Sequence, residues 1–243
     1  MTDAFPLRRY ATIDSTNLEA QRLAAAGTRG PLLLVAEEQG AGKGRLGRNW
    51  ISARGNLYTS LLLPTGAAPA KMPQLAFVTA LAVHDVVSGF CGADYVRLKW
   101  PNDCLLAGAK VAGILCETAA GGQAVIGCGI NVEHSPEGLA YPTAHLRQYS
   151  PLASVGDVLA AYASALKARL SAWGEGAGFA GILADWQVRA HGLNMPLRVS
   201  AGGRVISGIF SGLAPDGALV VKLADGTTET IYAGDVTFMV RAE

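Results

Sequence analysis

The stretch "EEQGAGKGRLGRNW", Glu37 to Trp50, decides the reading of this chain. It holds four glycines and three cations, Lys43, Arg45 and Arg48, and suits neither a helix interior nor a regular strand. From Lys43 to Lys71 there are five cations, counting Arg45, Arg48 and Arg54, yet no Asp or Glu occurs between Glu38 and Asp85. Glycine lets the backbone approach a ligand closely and turn its N–H groups inward. Arginine adds planar, bidentate donors suited to phosphate or carboxylate. Each charge-assisted hydrogen bond is worth about 1.5–3 kcal/mol, so several together would order such a loop around an anion. Without the anion, the like charges should repel, and the expectation is a disordered loop.

Two known phosphate-binding patterns do not fit. A Walker loop needs Ser or Thr after its lysine, and here Gly44 follows Lys43. "GKGRLG" matches GxGxxG, but a dinucleotide site also needs an immediate helix and an acid about 20 residues on. "RNWISARGN" is poor helix, and the acid is missing.

Working outward, "PLLLVAEEQ" reads as a buried strand leading into the loop, and "NLYTSLLLP" as another, closed by Pro64. Upstream, "TNLEAQRLAAAG" is a helix that Asp14 or Ser15 can cap and Gly27 can end. Downstream, "KMPQLAFVTALAVHDVVSGF" is a core helix. It is followed by three strand candidates, "DYVRLKW", "VAGILCETA" and "QAVIGCGINVE", separated by Pro-Asn-Asp and Gly-Gly turns. From Ser154, Val155, Leu159, Tyr162, Leu166, Leu170 and Trp173 form one apolar helical face, and "FAGILADWQVRA" is a further helix. After His191 short strands alternate with Gly-Gly, Pro-Asp-Gly and Asp-Gly turns, which implies a small SH3-like β-barrel. The boundary falls near residue 190, giving units 1–190 and 191–243.

Half of the 243 residues are hydrophobic, 16% are charged and the net charge is +1, which implies a sizeable core and no global field for duplex DNA. The start has no apolar signal region, and the longest apolar stretch, broken by His84 and Asp85, falls short of the roughly 20 residues that span a bilayer. A cytoplasmic protein without membrane contact is expected. Cys91, Cys104, Cys116 and Cys128 form no CxxC pair, so they read as reduced core thiols rather than a fixed metal site. The histidines form no HExxH or triad pattern.

Four more motifs each have an ordinary structural reading when taken singly. "STN" (Ser15, Thr16, Asn17) is a helix cap, "KWPND" (Lys99 to Asp103) a turn, Lys110 in "KVAGILCE" a snorkelling lysine, and "GCGIN" (Gly127 to Asn131) a packed strand. Their joint order carries more. "DSTN", the Gly–Arg loop, "KWPND", "KVAGILCE", "GCGIN" and a hairpin-rich tail together resemble the biotin protein ligases along most of the chain. The resemblance implies an α+β fold, a class II synthetase-like mixed sheet with helices plus a C-terminal SH3-like β-barrel. It also implies a two-step ligase. The carboxylate of biotin attacks the α-phosphate of ATP, assisted by Mg²⁺ carried with the nucleotide, giving biotinyl-5′-AMP and pyrophosphate. A lysine of a biotin carboxyl carrier protein, such as that of acetyl-CoA carboxylase, then displaces AMP. Clustered cations suit the joining of two anions.

By the same resemblance, Ser15, Thr16, Asn17 and Gln39 bind the ureido end of biotin. Gly42, Lys43, Gly44, Arg45 and Arg48 close over biotin and the adenylate phosphate. Lys110 and Arg45 are catalytic, Lys110 bridging the carboxylate and the α-phosphate. Lys99 serves the nucleotide, Asn102 and Asp103 hold the phosphate and metal end or orient Lys110, Gly113 and Ile114 line the biotin slot, Asn131 lies near adenine and Trp50 covers it once the loop closes. The family loop usually reads GRGRxGR, so Lys43 keeps the charge of the first arginine and loses its fork. With "DSTN" beginning at residue 14, an enzyme without operator binding is expected. An exposed sheet edge could pair with a second copy as a homodimer or with the carrier. The competing functions are a lipoate or octanoate ligase on the same fold and a non-catalytic biotin or nucleotide sensor.

Overall fold

The computed structural model describes residues 4–239. In chain order the strands and helices are β1 (Leu7–Tyr10), α1 (Thr16–Ala25), β2 (Leu32–Ala36), β3 (Leu57–Leu63), α2 (Gln74–Cys91), β4 (Val96–Lys99), β5 (Asp103–Leu106), β6 (Ala109–Ala119) and β7 (Gln123–Ile130). Then follow α3 (Val155–Trp173), α4 (Phe179–Val188), β8 (Pro196–Ala201), β9 (Arg204–Leu213), β10 (Leu219–Lys222), β11 (Thr228–Ile231) and β12 (Asp235–Phe238). Seven strands form one mixed sheet in the order β1-β2-β3-β7-β6-β5-β4, with β1 parallel to β2 and the other pairs antiparallel. The last five form an antiparallel sheet in the order β11-β10-β9-β8-β12. Gly217 and Gly226 turn its hairpins at positive φ, the conformation that the Asp-Gly signals demand.

The two faces of the large sheet differ, and the difference creates the site. Alternation along the strands sends Leu33, Val35, Leu61, Ile126, Cys128, Ile130, Ala112 and Ile114 into the main core, which also takes the apolar faces of α2 and α3. The other face is covered by α1 at one end only, where Ala20 and Ala24 meet Leu34, Leu62 and Val125. Beyond that patch the same face carries Ser60, Gly127 and Leu115 in one cross-strand row and Tyr58, Gly129 and Gly113 in the next. The glycines leave room there for side chains from outside the sheet to lie against it, Asn17 over Gly127 and Trp50 over Gly113 and Gly129.

The main core runs without a break into the second sheet, taking in Leu197, Val199, Phe210 and Leu219. Trp100 donates its indole N–H to the Gly217 carbonyl at 3.1 Å, tying the "KWPND" turn to the β9–β10 hairpin.

Two expectations need correction. β1 and β5 are strands that the sequence left as connections. Each has four residues, too few to show a period, and β5 begins inside the Pro-Asn-Asp turn. The apolar segment is also longer than its sequence suggests. From Pro69 to Cys91 it spans 23 residues, long and apolar enough for a membrane by length and composition. Here it is a core helix, with Leu75, Val78, Leu81, Val83 and Val87 fully buried under α3, α4 and the sheet.

Candidate active site

The glycine rows floor a cleft of about 740 Å³, counting its open mouth. All the candidate residues line it except Gly42, Lys99 and Asn131. The Trp50 indole lies on the floor. A Cβ built on Gly113 would sit 2.8 Å from its ring, and one on Gly129 2.5 Å from its Nε1. That indole N–H is buried and has no partner in the structure.

At one end of the cleft, α1 begins with its polar side chains turned inward. Ser15 takes the N-cap backbone position but makes no side-chain cap bond. Instead Asp14 accepts the Ser15 N–H at 2.7 Å and pairs with Arg22, which holds its carboxyl down to about 2. The buried Ser15 hydroxyl is thereby spared for the cleft. Gln39 Oε1 accepts from the Thr16 N–H at 2.8 Å and lies 3.0 Å from the Thr16 hydroxyl, while Gln39 Nε2 donates to Ser52 at 2.9 Å. Asn17 bonds Ser60 on β3 and Glu117 on β6. Gly42 stands behind this group, where any Cβ would meet Ser52 Oγ and the Trp50 carbonyl at 2.5 Å.

The arginine loop folds as a tight hairpin, with Gly44 N–H donating to Arg48 O at 2.7 Å and Trp50 N–H to Gly42 O at 2.9 Å. Its cations find partners far away in sequence. Arg48 grips both oxygens of Asp235 at 2.6 and 2.8 Å. Arg45 donates to Asn102 Oδ1 at 3.1 Å and to the Gly234 carbonyl at 3.4 Å. Arg54 turns away to Glu37 and Glu38. The missing acid is supplied by the second sheet, 187 residues further on. Burial lowers the pKa of Arg45, and the nearby carboxylates of Asp235 and Asp103 oppose that shift.

Across the cleft, Lys110 forms an ion pair with Asp103 at 2.7 Å. Its ammonium sits between the rings of Trp50 and Tyr141, 5.3 and 5.5 Å from their centres. Asn102 fixes its own backbone segment to β6, donating to Ile114 O at 2.6 Å while its carbonyl accepts the Ile114 N–H at 3.0 Å. Lys99 lies beside this group but outside the cleft, its pKa lowered chiefly by burial. Asn131 lies in a smaller neighbouring pocket with Trp50, Lys110 and Tyr141, its amide donating to Ala144 O at 3.0 Å.

Sequence reasoning missed Ser52, Ser60, Gly127, Gly129, Tyr141 and Asp235. The alternation G-x-G in "GCGIN" was a usable signal for the two glycines, since residues two apart share a strand face. For Ser52, Ser60, Tyr141 and Asp235 no local signal exists.

A mixed sheet with a glycine-cleared face, a two-arginine hairpin above it and a small antiparallel sheet bracing that hairpin define the class. Residues 10–131 match the Biotin/lipoate A/B protein ligase family, and residues 193–239 match the Biotin protein ligase C terminal domain. Within that class the chain belongs to the biotin protein ligases. It is 37% identical to a biotin--[acetyl-CoA-carboxylase] ligase of Paracoccus denitrificans, across 94% of this chain and 98% of the relative. It is 31% identical to the ligase of the same name from Mycobacterium tuberculosis, across 94% of this chain and 87% of that one. Among solved structures, it resembles the biotin protein ligase from Aquifex aeolicus in complex with biotin and ATP. That match has a TM-score of 0.81 at 26% identity and covers 96% of this chain and 98% of the other.

Proposed function

We propose that this chain is an ATP-dependent biotin protein ligase. It joins biotin to AMP with release of pyrophosphate, then passes the biotinyl group to a lysine of a biotin carboxyl carrier protein. One observation carries the reading: Arg45, Arg48 and Lys110 converge on a single cleft whose glycine rows carry the Trp50 indole and whose far end is a cluster of hydroxyls and amides. A carboxylic acid with a polar head and an apolar chain fits that gradient, head among Ser15, Thr16 and Gln39, carboxylate toward Lys110.

In the first step a carboxylate oxygen attacks the α-phosphorus and the bond to pyrophosphate breaks. Lys110 balances the negative charge that the two reactants share, and Arg45 holds the phosphate oxygens. In the second step the carrier amine attacks the acyl carbon and the acyl–phosphate bond breaks, leaving AMP and an amide. Mg²⁺ arrives with the triphosphate. The cleft offers two carboxylates, Asp103 and Asp235, each paired with a protein cation, which suits a metal held mainly by substrate oxygens. A broad groove beside the cleft shares Arg45, Asn102 and Ile114 with it and gives a protein amine a route to the anhydride.

The test is to incubate the protein with ATP, Mg²⁺, a carrier domain and either biotin or lipoate, following pyrophosphate and carrier mass. The expected result is pyrophosphate release and a biotinyl adduct with biotin alone. A lipoyl adduct would instead assign the other acid, and tight biotin binding with no adduct from either would make the protein a sensor.

A further inference from the structure

Asn17 is buried on the first turn of α1, directly over Gly127. A carboxamide has a donating end and an accepting end of nearly the same shape, so its surroundings must decide which way it points. Two groups decide it here. Glu117 Oε2 lies 2.7 Å from Asn17 Nδ2, and the Leu115 carbonyl 3.3 Å from it. Both can only accept, so the amine end must face β6 and Oδ1 must face Ser60. The fully buried Ser60 hydroxyl then donates its one proton to Asn17 and shows Thr16, 2.7 Å away, only lone pairs, so the Thr16 hydroxyl donates to Ser60 and turns its own lone pairs outward. Gln39 is fixed separately, accepting the Thr16 backbone N–H and donating to Ser52, which donates to the Trp50 carbonyl at 2.9 Å.

Glu117 shares the cleft-facing side of β6 with Gly113 and Leu115. Among the described residues its side chain makes no ion pair, and Asn17 is its one hydrogen-bond partner. A half-buried carboxylate with that single contact does little for the sheet. We infer that Glu117 is a positioning residue. Through Asn17 it sets the donor–acceptor sense of the Ser60 and Thr16 hydroxyls in the cluster that reads the cyclic urea of the acid substrate. The inference rests on the proposed function, which supplies that substrate.

The test compares wild type, Glu117→Gln and Asn17→Asp/Glu117→Gln by pyrophosphate kinetics, direct biotin titration and thermal melting. In Glu117→Gln the new amide can donate or accept, so Asn17 is free to turn over. Biotin KM and Kd should rise roughly ten-fold, with kcat, ATP KM and Tm close to wild type. In the double variant the new amide donates to the new carboxylate, which again offers an acceptor to Ser60. Biotin affinity should return most of the way, a rescue that a purely structural role would not give. An active wild type with unchanged biotin affinity in Glu117→Gln overturns this inference alone. So does a loss that follows Tm, or a double variant worse than the single one. Should Glu117→Gln not fold, a folded double variant that binds biotin well supports the inference, and a folded one that binds poorly overturns it. A wild type inert with biotin overturns the proposed function and this inference with it.

Discussion

Lys110 is held by a carboxylate at 2.7 Å and by two aromatic rings, so its charge is fixed before any substrate arrives. A charge kept in place costs no reorganisation when the phosphate reacts. Lys110→Ala should therefore lower adenylate formation by a factor on the order of 100–1,000 while biotin binding changes far less. Rapid-quench adenylation beside biotin titration checks this, and equal losses would remove Lys110 from the reacting centre. A different residue-scale test concerns shape. Any Cβ on Gly127 collides with the Asn17 carboxamide. Gly127→Ala should cost about 1–3 kcal/mol of stability and push biotin affinity down by at least about ten-fold. Unchanged affinity would mean that the floor is not the acid's seat. Such residues were legible in unequal measure. Thr16, Gln39, Arg45 and Lys110 stand in motifs, whereas Ser60 is an ordinary serine in an apolar strand until β3 pairs with β7 and sets it beside Gly127.

Among the elements, long periodic segments were the most legible. The helix read from Ser154 is α3, capped by Ser154, which accepts the Asp157 N–H at 3.1 Å. Short strands such as β5 were hidden because they are defined by their neighbours. The core helix α2 supplies a prediction that the sequence does not show. His84 is buried on it, with its ring 3.3 Å from the Ser88 hydroxyl and the charges of Arg189, Asp85 and Arg97 around it. Burial, aided by Arg189 and opposed by Asp85, depresses its pKa to about 4. As pH falls below about 6.5, the unfolded chain takes up a proton that the folded chain refuses until about pH 4. Stability should fall through that window, by up to about 3 kcal/mol from this group, and stay level for it below. The His145 and His191 pKa values are also lowered by burial and act in the same sense. Urea midpoints measured from pH 7 to pH 4 should slope less in His84→Gln than in wild type. Equal slopes would clear His84 of the effect.

At the scale of the whole molecule, the two sheets act as one body around the cleft. The core passes from one to the other, and Trp100 bonds across to Gly217. The arginine hairpin is then held from outside its own neighbourhood, by Gly234 and Asp235. This explains why its contacts were illegible: local sequence shows crowded cations, and the partner acid lies 187 residues further on. The Arg48–Asp235 pair is about half exposed, so it contributes little to global stability. Its effect should instead be local, on how often the hairpin opens, because segments with few buried contacts open far below the global unfolding free energy. In Asp235→Ala, trypsin should cut after Lys43, Arg45 or Arg48 several times faster than in wild type, with Tm almost unchanged. On the proposed role of the arginines as clamps of its phosphate, adenylate should also escape sooner, because the hairpin is less often closed. High salt should accelerate cleavage of wild type toward the variant's rate and leave the variant nearly unaffected, because screening weakens a pair that only wild type has. Equal cleavage of the two proteins at low salt would show that the hairpin is held by its own backbone bonds and by Arg45 alone.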